Sequence, residues 1–132
     1  MANLHRFPLL AAGVLGTLGV ALGAFGAHGL QALLAERGTA QSWETAARYQ
    51  LLHTMALLGV AAWLRAGGGA GTVRILWAAR CWCAGIALFS GSLYLYAVGG
   101  PHFLVFLTPI GGVALMVGWL MVVAAALTAK DE

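Results

Sequence analysis

The chain has 132 residues, of which 61% are hydrophobic and only 8% charged, against roughly 25% charged residues in soluble domains. So few charges cannot solvate a globule. The formal net charge of +3 is scattered rather than clustered, which leaves no basis for a nucleic-acid partner.

Four apolar segments can be drawn, at 7–27, 46–64, 75–98 and 103–127. Each is close to or above the ~20 residues that a helix needs to cross ~30 Å of hydrocarbon at 1.5 Å per residue. The ~10-residue stretches of alternating polarity that a membrane β-barrel needs are not visible. The expected fold is all-α: an integral-membrane, antiparallel four-helix bundle forming one transmembrane domain over residues 1–132, with little mass outside the bilayer.

The first segment follows His5 and Arg6 and ends in small residues, as a secretory signal would. Its length exceeds the ~7 to 15 residues of a signal core, so it is expected to be retained as a span. Glycines 13, 16, 19, 23 and 26 recur in steps of three and four, with Gly19 and Gly23 forming a GxxxG pair. Such a stripe predicts a face on which another helix packs closely. The segment runs into GAFGAHGL, which places His28 at its end.

Leu30, Leu33 and Leu34 then repeat at helical spacing with Gln31 and Glu36 opposite, up to Gly38. This predicts a short interfacial helix. Thr39 is a suitable N-cap for the helix that follows. Its first turns hold Trp43, Glu44, Arg48, Tyr49, Gln50 and His53 before the apolar run to Leu64. Trp43 and Tyr49 fit an aromatic belt at one boundary, and Trp63 and Trp77 fit one at the other.

The stretch RAGGGAGTVR, Arg65 to Arg74, predicts a flexible hinge between halves. It lacks the Gly-Lys-Ser/Thr ending of a phosphate loop. In the third segment Cys81 and Cys83 stand two residues apart, ~200° apart around a helix, too far round to bridge one another or share a metal. They read as reduced buried thiols. Only VGGPH separates the third and fourth segments, so these must be antiparallel neighbours. Pro101 suits a helix start, whereas Pro109 is expected to kink the fourth span between Val105 and Pro109.

Taking the segments in order, Arg6, Arg65, Arg74, Arg80 and Lys130 fall on one side and Arg37 and Arg48 on the other. The positive-inside rule then puts both termini in the cytoplasm, in a multi-pass inner (plasma) membrane protein. On that topology His28, Glu44, Tyr49, Gln50, His53, Ser90, Ser92, Tyr94 and Thr108 all belong to the outer half, where they form a candidate polar cluster. An imidazole or amide dehydrated alone costs several kcal/mol, so these groups should face inward and satisfy one another. Four readings follow: hydrogen bonds that set helix register, a pocket for a small molecule or lipid headgroup, a proton relay through His53, or a metal site from His28, His53 and Glu44. HxxxH and CxxC spacings are absent, so neither a metal nor a cofactor is expected.

The stretches LGAFGAHGL, YQLLHT, FSGSLY and TPIGG resemble in order and spacing the motifs of the YgdD/YwdK-like family of small four-span membrane proteins of unknown function, over about Leu22 to Trp119. The resemblance implies an inner-membrane helical protein and maps the family's motifs onto His28, Tyr49, Gln50, His53, Ser90, Ser92, Tyr94, Thr108 and Pro109. It implies no activity. With no nucleophile, base and acid set in view, the chain is expected to be non-enzymatic, embedded among membrane lipids, as a partner or accessory component of a membrane complex or as a homo-oligomer. The alternative is a small-molecule or lipid-binding protein, or an oligomeric transporter, that uses the polar cluster as its pocket.

Overall fold

The structure, a computed structural model, describes residues 6–128. Among the described residues it is helical throughout, without strands. Helix α1 (Arg6–Ala27) leads through a short turn to α2 (Gln31–Arg37) and α3 (Ala40–Arg65). Helix α4 (Thr72–Gly85) continues through a π-helical turn, Ile86–Ser90, into α5 (Gly91–Ala97). A 3-10 turn, His102–Phe106, opens the last helix, α6 (Leu107–Ala126).

Three helical stretches, Arg6–Ala27, Thr72–Ala97 and His102–Ala126, are long and apolar enough to cross a membrane. This is a helical membrane protein. Helix α3 has 26 residues, about 39 Å at 1.5 Å per residue, but Glu44, Arg48, Gln50 and His53 make it more polar than those three.

Glycine decides how closely the helices approach. A Cβ on Gly16 would meet the Thr54 methyl, one on Gly19 the Leu51 and Gln50 side chains, and one on Gly26 the Trp43 indole. As α1 ascends in number α3 descends, so the two run in opposite directions. The same holds for the pair formed by α4–α5 and α6: Gly85 lies against Leu115, Trp82 against Gly118, and Gly111 against the backbone of Leu88 and Phe89. Helix α3 sits between α1 and the α4–α5 stretch. One core surrounds Leu57, Trp82, Ile86 and Leu115, and a second surrounds Leu34, Trp43, Ala46, Tyr94 and Ala97.

Several expectations change in detail. Gly13 and Gly23 of the predicted stripe meet no neighbour, because a helical face that contacts one partner is narrower than five positions spaced by three and four. Helix α2 forms, and Gly38 closes it at φ 66°. It tucks Leu34 into the second core instead of only resting on an interface. Thr39 makes no side-chain cap bond. Its hydroxyl donates instead to the Ala97 carbonyl at 2.8 Å, and Arg37 Nε donates to the same oxygen at 3.2 Å. These bonds satisfy an orphan carbonyl at the end of α5.

Trp43 is buried and not in an exposed belt. The glycine-rich loop is a pinned turn: Gly68 N–H donates to the Trp63 carbonyl, Thr72 Oγ1 donates to the Gly69 carbonyl, and Gly71 packs on Ala125. Pro109 is in the first turn of α6, where a missing N–H removes no α-helical bond. The change in helical geometry lies just before it, where the 3-10 turn gives way to α-helix at Leu107.

The contacts of Gly111 and Gly13 set up a direct contrast. Gly111→Leu should force α6 away from the π turn and destabilise the fold by about 1–3 kcal/mol or more, whereas Gly13→Leu should be near neutral. Reversible unfolding of both variants in mixed micelles checks this, and equal costs would refute the proposed role of Gly111.

Candidate functional site

The polar groups of α3 face two different neighbours, and glycines on α1 explain one of them. In a helix, the residue four positions before a glycine presents a carbonyl that no Cβ shields. Gln50 Nε2 donates to the Leu15 carbonyl at 2.9 Å, four residues before Gly19. Trp43 Nε1 donates to the Leu22 carbonyl at 2.8 Å, four residues before Gly26. The two donors are seven apart on α3 and the two glycines seven apart on α1, so one antiparallel register satisfies both.

On its other side Gln50 Oε1 accepts the Tyr94 hydroxyl at 2.9 Å. A single buried amide therefore ties α1, α3 and α5 together. The Tyr94 ring also stands edge-on to Trp43, with centroids 4.7 Å apart. Ser90 Oγ, fully buried in the π turn, donates to the Ala46 carbonyl at 2.8 Å. A π turn inserts one extra residue into the helix and re-aims its side chains. Here Ser90 faces α3 and Ser92 faces α6, where its Oγ lies 2.7 Å from Thr108 Oγ1.

His53 lies midway along α3 and is buried among tryptophans. Its Nδ1 bonds to the Tyr49 carbonyl at 2.7 Å, so Nδ1 carries the proton. Its Nε2 accepts Trp119 Nε1–H at 3.1 Å. This pattern assigns the neutral Nδ1–H tautomer and leaves neither ring nitrogen free. The Trp82 and Trp119 rings stand 4.7 Å apart, and both flank His53 at about 6 Å. Tyr49, half-exposed, packs on Phe89 at 4.7 Å.

The nine candidate residues therefore do not merge into one hydrogen-bonded network. Gln50 joins Tyr94, Ser92 joins Thr108 and His53 joins the Tyr49 carbonyl and Trp119, while Ser90 bonds to Ala46. His28 and Glu44 are exposed, His28 beyond the end of α1 and Glu44 on the first turns of α3. Among the described residues no three His, Cys, Asp or Glu side chains converge as a metal would require. Among the described residues, buried side-chain polar atoms are hydrogen-bonded apart from Trp82 Nε1, which lies against Gly118 without a partner.

Trp119, Trp82 and the backbone acceptors Leu15, Leu22 and Ala46 were missed by sequence reasoning. A usable signal existed for the tryptophans: both lie well inside apolar segments, away from any belt, where an indole N–H must find an acceptor. The backbone acceptors left no such trace, since every residue has a carbonyl.

Residues 22–112 match the family described as "Protein of unknown function (DUF423)". The chain belongs to this family. It is 42% identical over 109 residues to the UPF0382 membrane protein YwdK of Bacillus subtilis, covering 83% of this chain and 86% of the relative. It is 36% identical over 128 residues to the UPF0382 inner membrane protein YgdD of Escherichia coli strain K12, covering 96% of this chain and 94% of the relative. The UPF0382 membrane protein SAB0533 of Staphylococcus aureus is 40% identical over 110 residues, with 82% and 84% covered. No solved structure matches the chain significantly. The family match runs from Leu22, which accepts the Trp43 bond, to Gly112, just beyond the π-turn contact of Gly111.

Gln50→Leu should cost about 1–2 kcal/mol, because it strands the Tyr94 hydroxyl in a buried site. Tyr94→Phe should cost less, and a double-mutant cycle between the two should give a coupling of about 0.6 kcal/mol, typical of such bonds in membranes. Strict additivity would mean that the bond does not hold α3 to α5.

Proposed function

We propose that the protein is a non-enzymatic accessory component of an inner-membrane complex, built as an antiparallel four-span bundle with both termini in the cytoplasm. The observation that carries this reading is the division of surface. Among the described residues, buried polar side chains other than the Trp82 indole are engaged with one another or with backbone, while only 17%, 33% and 22% of the most apolar windows of the three candidate spans are buried. A wide apolar face on α1 and α6, including Leu10, Val20, Met116 and Leu120, is left for lipid or a laterally docked protein.

Helix α3 is taken as the remaining span. Gln50, His53 and Thr54 are buried and hydrogen-bonded, which offsets their cost in hydrocarbon. Glu44 and Arg48 sit in its first turns, at headgroup depth on this topology.

A second reading is supported by a groove of about 570 Å³ between Ser42, Tyr96, His102 and Thr108. It would serve a small-molecule or lipid-binding protein, with transport requiring oligomerisation because four spans are few for a transporter protomer.

Native mass measurement on protein released gently from its own membrane should find a second membrane protein at fixed stoichiometry. Recovery with itself and lipid alone would remove the accessory reading. For the topology, a cysteine at residue 70, in a chain with Cys81 and Cys83 replaced by alanine, should be shielded from an impermeant thiol reagent in intact cells. It should become reactive in inverted vesicles, and labelling in intact cells would overturn the orientation.

A further inference from the structure

Arg6 opens α1 and Arg65 closes α3, and because the two helices run in opposite directions both arginines stand at the same end of the pair. They line one groove of about 940 Å³ whose other walls are Leu9, Leu10, Val14 and Leu18, with Gly13 and Thr17 at its floor. Gly13 meets nothing within 4 Å, so the groove is open at that position. The one hydroxyl in it is occupied, since Thr17 Oγ1 donates to the Gly13 carbonyl at 2.9 Å. Among the described residues no acidic side chain lines the groove. It therefore offers two guanidinium groups at one end and an apolar trough along the rest. From Arg6 to Leu18 the trough runs about 18 Å at 1.5 Å per residue, close to one leaflet of a ~30 Å hydrocarbon core.

We propose that this groove seats an acyl chain of one anionic phospholipid, whose phosphate is held by Arg6 and Arg65. Guanidinium groups bind phosphate through paired N–H donors, at the depth where a phospholipid carries its phosphate. The small floor at Gly13 and Thr17 resembles a helix-dimerisation face, but the charges argue against a second copy. A copy packed through the same face about an axis along the membrane normal would bring four guanidinium groups to one end, with no carboxylate among the described lining residues to offset them. The inference is independent of which side of the membrane that end faces and of the accessory role.

The test uses the full-length protein in mixed micelles holding equal phosphatidylglycerol and phosphatidylcholine, read by native mass spectrometry. One phosphatidylglycerol should be retained in preference to phosphatidylcholine. R6Q/R65Q should lower that preference by about 25-fold, at about fivefold per arginine, and R6K/R65K should keep most of it. Because removing two arginines can also alter insertion, Gly13→Leu supplies a second arm: it keeps both charges and fills the trough, and should abolish retention as well.

Four results would overturn the proposal. These are equal retention of the two lipids, retention unchanged by Gly13→Leu, displacement of the bound lipid by millimolar glycerol phosphate, and a preference that emerges only when Asp131 and Glu132 are neutralised. Displacement by glycerol phosphate would mean a headgroup-only anion site, and the last result would assign the arginines to the chain's own acidic end.

Discussion

A side-chain N–H buried between apolar helices costs several kcal/mol unless it finds an acceptor, because hydrocarbon offers none. In this chain two such donors, on Gln50 and Trp43, find theirs in the backbone of α1. That is possible only because Gly19 and Gly26 leave the carbonyls of Leu15 and Leu22 uncovered. The equal seven-residue spacing on the two helices lets both bonds form in one register. A slip by one residue would put a Cβ where each side chain passes and strand two donors together. The rest of the structure is built outward from this pair, since Gln50 and Trp43 also meet Tyr94 and so position α5.

The interface between α4–α5 and α6 solves a related problem through the π turn. Gly111 touches backbone there, at Leu88 and Phe89, closer than any larger residue permits. The extra residue of the turn rotates the chain so that Ser90 and Ser92, two apart, serve opposite neighbours: the Ala46 carbonyl on α3 and the Thr108 hydroxyl on α6. In a regular α-helix residues two apart also diverge, by about 200°. The π turn tilts that divergence so that Phe89 and Ser90 both reach α3 while Gly91 remains clear of neighbours.

Histidine 53 shows how a titratable side chain buried in a helical bundle can have both ring nitrogens engaged. Its two nitrogens are taken by Tyr49 and Trp119, and the Trp82 and Trp119 rings flank it in T-shaped contacts. Trp82 differs, because its N–H is equally buried but has no acceptor. Its packing against Gly118 repeats the indole-on-glycine contact of Trp43 and Gly26, with the hydrogen bond left unmade. Family membership adds no chemistry to these contacts, since the relatives are named only as membrane proteins.

Composition and periodicity alone determined that the chain is helical and bound for a membrane, since 8% charged residues cannot solvate it and long apolar runs leave the backbone only helical ways to satisfy itself. They also placed the short helix ending at Gly38, the close-packing role of α1 glycines, and the inward burial of Gln50, His53, Ser90 and Tyr94. What they could not decide was pairing. The nine polar residues were legible as a group because the expected topology gives them one depth, but His28, Glu44 and Tyr49 ended exposed, and the others divided among several bonds. Which donor meets which acceptor depends on helix rotation and register, and those were set in three dimensions by glycine contacts, by a π turn with no marker in residue type, and by backbone carbonyls that every residue carries alike.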